Sequence, residues 1–174
     1  NGSVMTLNST GNVIDMYQYS SNPIYTVEIG NYTDTNSYSV AIGDSNGVLR
    51  VIDPLSRSIL YESNANQISN YPNKPLSKDI DEDGLDELVF GSMSLHVLDV
   101  DTGKISYNST DYGGNFKFDI FAEDFDGDGD IEIASVNDNN EIVLDDLSQN
   151  RTQWTYTSTD SGNDIDQIDI GHFG

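Results

Sequence analysis

Two stretches of this chain carry the residues best suited to chemistry, and they spell nearly the same loop. One runs Asp79-Ile80-Asp81-Glu82-Asp83-Gly84-Leu85-Asp86-Glu87, the other Asp124-Phe125-Asp126-Gly127-Asp128-Gly129-Asp130-Ile131-Glu132. Both place carboxylates at positions 1, 3, 5 and 9 and glycine at position 6. Alternate side chains in a tight loop point to one centre. Glycine at position 6 permits the sharp turn that brings them there. Converging carboxylates repel unless a cation lies between them. Hard oxygen donors around such a turn are what Ca²⁺ selects, and the carbonyl of position 7 can add a further oxygen. The expected ligands are therefore Asp79, Asp81, Asp83, Leu85 (through its carbonyl) and Glu87 in the first loop. In the second they are Asp124, Asp126, Asp128, Asp130 (through its carbonyl) and Glu132. The side chains of Asp86 and Asp130 should point away. Mg²⁺ fits less well, because it rarely uses an all-protein cage.

The elements around these loops must be strands. An EF-hand begins in the same way, but needs helices on both sides and a bidentate Glu at position 12. Here position 12 is Phe90 or Ser135. The residues that follow, Leu88-Val89-Phe90 and Ile131-Glu132-Ile133-Ala134-Ser135, are β-type. The ninth-position acid closes each site, and each loop joins two strands.

The loops begin 45 residues apart, and other markers keep a similar period. Val51-Ile52-Asp53, Val97-Leu98-Asp99 and Val143-Leu144-Asp145 are each 46 apart. Ile59-x-Tyr61, Ile105-x-Tyr107 and Trp154-x-Tyr156 follow them. The loop register also has a copy on either side, at Ile29-Gly30-Asn31-Tyr32 and at Ile170-Gly171-His172-Phe173. Turn chemistry punctuates each unit at Asp44-Ser45-Asn46-Gly47, Asp101-Thr102-Gly103 and Asn137-Asp138-Asn139-Asn140. Short strands at this period predict an all-β propeller with four-stranded blades. The repeat units fall at about 1–30, 31–78, 79–123 and 124–171 of one domain, 1–174. Two prolines in Tyr71-Pro72-Asn73-Lys74-Pro75 suit only an edge strand, such as the innermost strand of a blade. The chain opens on what reads as a second strand, Ser3 to Asn8, and closes on an innermost one, Asp164 to Gly171. Sharing one blade, these ends would close a four-bladed ring, which the reading favours over a fragment of a larger propeller.

On these residues the chain resembles the FG-GAP (VCBS-like) repeat family, which includes the propeller of integrin α subunits. The resemblance spans essentially the whole chain. It implies that each loop joins the innermost strand of a blade to the second and binds Ca²⁺, giving two sites. The segment Val97 to Ile105 also looks like the quinoprotein-type propeller repeat. The first unit departs from the pattern: Asn31, Thr33, Thr35 and Ser39 stand at its four ligand positions, so it should bind no cation.

Bulk composition narrows the function. Thirty acidic residues against seven basic give a formal charge of −23, and two Ca²⁺ would neutralise only four of those charges. Nucleic acid and anionic membrane are poor partners for such a surface. No apolar stretch is long enough to insert in a membrane. Cysteine is absent, so no disulfide framework exists. An acidic, calcium-loaded chain suits an extracellular or cell-surface setting. The reading is a calcium-stabilised binding or adhesion module for a protein or glycan. The alternatives are the propeller portion of a secreted enzyme (lyase, hydrolase or quinoprotein-like) and a structural surface-layer or filament unit. The enzyme alternative has little to rest on. The two histidines, His96 and His172, belong to no catalytic spacing, and no nucleophile motif stands out.

Overall fold

The computed structural model describes residues 2–64, 73–91, 94–109, 116–159, 165, 168 and 169. Among them there are fourteen strands and no helix. A two-stranded sheet pairs β1 (Gly2–Leu7) with β2 (Val13–Ser20). Three four-stranded sheets follow. The second sheet holds β3 (Ile24–Gly30), β4 (Ser39–Asp44), β5 (Leu49–Ile52) and β6 (Ile59–Glu62). The third holds β7 (Asn73–Lys78), β8 (Glu87–Gly91), β9 (Leu95–Asp99) and β10 (Lys104–Asn108). The fourth holds β11 (Phe116–Glu123), β12 (Glu132–Asn137), β13 (Glu141–Asp146) and β14 (Arg151–Thr157). Within each sheet the strands run antiparallel in chain order.

These are the expected four-stranded blades, offset from the sequence repeat. Units 31–78 and 79–123 each supply three strands of one blade and the first strand of the next, whereas unit 1–30 supplies the two strands of the first sheet and the first strand of the second. First strands pack in a row, β3 against β7 and β7 against β11. Pro75 lies in β7, an edge strand of its sheet, where a missing N–H costs no ladder bond. Pro72 and most of Asp164 to Gly171 lie outside the described residues, so the expected union of the two chain ends does too.

The core forms between blades, and alternation along each strand decides which boundary a residue serves. On β8, Leu88 and Phe90 join Ala41, Leu49, Val51 and Leu98 in a cluster between the second and third sheets. The residue between them, Val89, turns to the other face and packs with Val97, Tyr107, Ile120 and Ile133 against the fourth sheet. All five residues of β8 are therefore buried. Each such apolar side chain contributes roughly 1.5–3 kcal/mol. A run such as Leu88-Val89-Phe90 is continuous in sequence because the strand is covered on both faces.

Hairpin turns follow the sequence signals. Gly47 and Asn140 take positive φ (70° and 65°) in the turns after β4 and β12. The strand-end side chains Asp44 and Asn137 accept N–H bonds from Asn46 (2.9 Å) and Asn139 (3.0 Å). A further repeat was hidden among common residues. Ser63 and Ser109, 46 apart, each accept the N–H of Leu49 or Leu95 at 2.9 Å through Oγ. Each also returns its own N–H to the carbonyl of that same leucine at 2.9 Å. The outer strand is thereby tied to the start of the third strand in both blades.

Candidate metal centres

The two acidic loops occupy equivalent places, 79–87 between β7 and β8 and 124–132 between β11 and β12. Four of their internal hydrogen bonds correspond position by position, and the second loop adds two more, from the N–H of Gly127 (2.7 Å) and of Asp128 (3.1 Å) to Asp124 Oδ1. The carboxylate of position 1 accepts the N–H of position 6: Gly84 to Asp79 Oδ2 and Gly129 to Asp124 Oδ2, both 3.1 Å. Position 3 accepts from position 5: Asp83 to Asp81 and Asp128 to Asp126, both 3.2 Å. Position 5 accepts from position 7: Leu85 to Asp83 at 2.8 Å and Asp130 to Asp128 at 2.9 Å. Position 9 accepts from position 2: Ile80 to Glu87 and Phe125 to Glu132, both 2.8 Å. Two segments with different residues at positions 2, 4, 7 and 8 thus adopt one loop.

Position 6 takes the left-handed conformation that its glycine allows, with φ of +92° at Gly84 and +97° at Gly129. Position 4 is left-handed as well, at Gly127 (+81°) and at Glu82 (+61°). Comparison of the sequences points only to the shared glycine. The second requirement is masked because a glutamate meets it in the first loop.

The folding of each loop brings three carboxylates together. Oxygens of Asp79, Asp81 and Glu87 lie within 4.8 Å of one another, as do those of Asp124, Asp126 and Glu132. Glu87 and Glu132 open β8 and β12 and are buried at the base of the loops, while the position-3 aspartates are exposed. Burial, foremost, pushes the Glu87 carboxyl up to about 7 against the Ile80 N–H, and the Asp81 and Asp83 charges add to the rise. Burial likewise raises the Glu132 carboxyl. Asp79 Oδ1 is buried without a hydrogen-bond partner, although its other oxygen is held by Gly84. An ionised oxygen left this way is costly unless a cation meets it. Oxygen-only donors fit Ca²⁺. Asp83 and Asp128 stand outside these triads, each holding the position-7 N–H. Leu85 and Asp130 sit at the turn those bonds create.

The degenerate first loop is built differently. Asn31, Thr33, Thr35 and Ser39 offer no carboxylate, and Asp34 instead accepts the Asn36 N–H at 2.8 Å. Its anchor comes from the next blade: the Asn31 N–H donates to Asp86 Oδ2 at 2.7 Å. Asp86 does point away from its own loop centre, toward this junction. Gly30 admits the close approach, since a Cβ there would stand 1.9 Å from Ser77 Oγ and 2.9 Å from Asp86 Oδ2.

The remaining sequence candidates resolve into packing. His96 stacks on Phe90 with ring centroids 5.1 Å apart, and burial holds its imidazole below the usual range. His172 lies outside the described residues. Tyr107 is buried in the second core cluster and Tyr61 packs on the first, whereas Tyr156 is exposed on β14. A cleft of about 240 Å³ separates the two loops, with Asp81 on one wall and Asp130 on the other. No helix among the described residues is long and apolar enough to cross a membrane.

With the geometry in place, two solved structures share the fold. BamB from Moraxella catarrhalis matches 91% of this chain with a TM-score of 0.61 at 14% identity. Sqt1 from Saccharomyces cerevisiae matches 94% with a TM-score of 0.69 at 13% identity. The chain spans about half the length of each, 45% and 47%. At these identities the likeness concerns the fold, which is a β-propeller. No family model matches the sequence, and no curated protein does.

Proposed function

We propose that this chain is a calcium-stabilised β-propeller that acts outside the cell as a binding module for a protein or glycan, in the manner the FG-GAP resemblance implies. One observation carries the calcium reading. Two loops of different sequence converge on the same three-carboxylate arrangement, each with a buried glutamate at its base. Asp79, Asp81 and Glu87 would hold one ion, and Asp124, Asp126 and Glu132 the other. Asp83, Asp128 and the carbonyls of Leu85 and Asp130 would complete the coordination. The ions stiffen the junction between the first and second strands of two adjacent blades. This leaves the exposed surfaces of the array for recognition. The acidic surface is compatible with a calcium-rich exterior and favours partners that are neutral or basic.

A calcium titration tests the reading. Isothermal calorimetry on chelator-stripped protein should give two ions per chain. Binding to the folded state alone adds about 2.7 kcal/mol per site at a hundredfold excess over Kd. For two sites in a chain of this size that is a rise in melting temperature of roughly 10–20 °C. Identical melting in calcium and in excess EDTA would overturn it.

A further inference from the structure

We infer that the cleft between the two acidic loops receives a basic side chain, lysine or arginine, presented by a partner protein. The inference rests on the binding-module reading above and names its surface.

The cleft, about 240 Å³, lies where the third and fourth sheets meet, and every residue that lines it is among those described. Its floor is apolar, with Ile80 and Ile131 from the loops, Val97 from β9 and Leu147 from the turn after β13. Val97 is buried in the second core cluster and the other three pack against that cluster. Its walls are acidic, Asp81 on one side and Asp130 on the other, both exposed. The salt bridges among the described residues engage Asp15, Asp44, Glu62 and Asp146, and neither wall carboxylate.

The preceding boundary, between the second and third sheets, is closed by residues that differ here. Position 2 of its loop is Tyr32, which is wholly buried in the first core cluster. Here that position is Ile80, smaller and only partly buried. At position 8, Asp86 reaches across and exchanges hydrogen bonds with Asn31, whereas Ile131 makes apolar contact alone. The smaller side chain leaves space, and the missing bridge leaves the floor apolar. The walls differ as well: position 3 is Thr33 there and Asp81 here, and position 7 is Leu85 there and Asp130 here.

Floor and walls together select the occupant. A hydrated metal ion gains nothing from an apolar floor, and Asp130 belongs to neither three-carboxylate cluster. A neutral or anionic group would cover two carboxylates without pairing them, which is costly. The side chain of lysine or arginine is a hydrocarbon stem with a charged head. The stem would lie on Ile80, Ile131 and Leu147, and the head would reach Asp81 and Asp130 through charge-assisted hydrogen bonds. The Asp130 carboxylate stays available with calcium bound, because the calcium reading uses only its carbonyl. The chain's charge of −23 speeds the encounter.

The probes are the blocked tripeptides acetyl-Gly-Arg-Gly-amide and acetyl-Gly-Lys-Gly-amide, titrated into calcium-loaded, isotope-labelled protein and followed by NMR. Saturable shifts are expected at the amides of Ile80, Ser106 and Ile131, which border the cleft. The neutral isosteres, citrulline for arginine and norleucine for lysine, should bind at least tenfold more weakly. Asp130→Asn should weaken the cationic probes as much. Ser106→Lys, on the exposed rim, sets an ammonium over the cleft and should weaken them likewise while two calcium ions remain bound. Absence of saturable shifts, equal binding of the neutral isosteres, or shifts spread over the acidic surface and untouched by Asp130→Asn overturns the inference. So does a third calcium per chain that Asp130→Asn removes, which shows metal in the cleft, or a dimer that excludes both tripeptides, which shows a second copy there. The melting shift on the same samples keeps the two readings apart: its persistence without peptide binding sinks the cleft alone, and its loss sinks the calcium module.

Discussion

Asp86 and Asn31 exchange hydrogen bonds across a blade boundary. The Asn31 N–H donates to Asp86 Oδ2 at 2.7 Å, and the Asp86 N–H donates to the Asn31 carbonyl at 2.9 Å. One residue belongs to a loop rich in carboxylates, the other to the sister loop that has lost them. The blade without a cation candidate is thus fastened to the loop that has one. In the second acidic loop the same position is Ile131, which packs on the apolar cluster between the third and fourth sheets. Position 8 therefore bridges blades in both cases, by hydrogen bonding in one and by apolar contact in the other.

Asp86→Ala should destabilise the fold by about 1–3 kcal/mol, because it strands the Asn31 N–H in a part-buried place. Urea unfolding in saturating calcium gives the measurement. The number of bound ions should stay at two, since Asp86 points away from its loop centre. Loss of one ion would show that Asp86 is a ligand.

Glu87→Gln and Glu132→Gln should each remove one calcium from the stoichiometry and about half of the calcium-dependent rise in melting temperature. The double variant should melt alike in calcium and in EDTA. Each glutamate is buried at the base of a separate loop, and the two loops share no residue, so their effects should add. Calorimetry on the three variants checks this, and a single substitution that abolishes both sites would contradict it.

Gly84→Ala and Gly129→Ala should cost about 1–2 kcal/mol each, because φ beyond +90° is strained for a residue with a Cβ. Glu82→Gly should act in the opposite sense. It gives the first loop the glycine that the second has at position 4 and relieves a φ of +61°. Greater freedom of the unfolded chain offsets part of that gain, so the net rise is up to about 1 kcal/mol. Chemical denaturation in calcium is the readout, and a Glu82→Gly variant less stable than the parent would count against the shared loop geometry.

Asp44 sets an acid limit that is independent of calcium. Burial alone would raise its carboxyl, but bonds from Ser20 Oγ (2.7 Å) and Arg50 Nη1 (2.9 Å) hold it below the ordinary carboxylate value. A depressed folded value means that the stabilisation is present above the unfolded value near 3.8 and is lost as pH falls through the folded one. Asp44→Asn should therefore be less stable than the parent at pH 6, and the gap should narrow below pH 4. Urea midpoints at the two pH values, in EDTA, test the sign. A gap that widens in acid would reverse it.

Much of this architecture is legible in the residues. The doubled loop, the Val-[Ile/Leu]-Asp marker and the turn signals repeat because each blade solves the same local problem, and local solutions leave local signatures. Other features carry no such signature. Ser63 and Ser109 repeat in register, yet serine is too common to be noticed until a bond to Leu49 or Leu95 gives it a role. The left-handed position 4 is glycine in one loop and glutamate in the other, so composition conceals what the backbone shares.

Alternation and spacing along the chain were enough to specify strands and loops, since these depend on side-chain direction within a few residues; of the four carboxylates read as converging in each loop, three come together, and Asp83 and Asp128 stand outside. Which surfaces meet was decided only in three dimensions. That Leu88 and Val89 serve different cores and that Asp86 reaches Asn31 from 55 residues away both depend on how sheets stack about an axis. The physical reason is range: backbone geometry fixes a strand from its own neighbours, while burial of its faces depends on sheets brought against it from elsewhere in the chain.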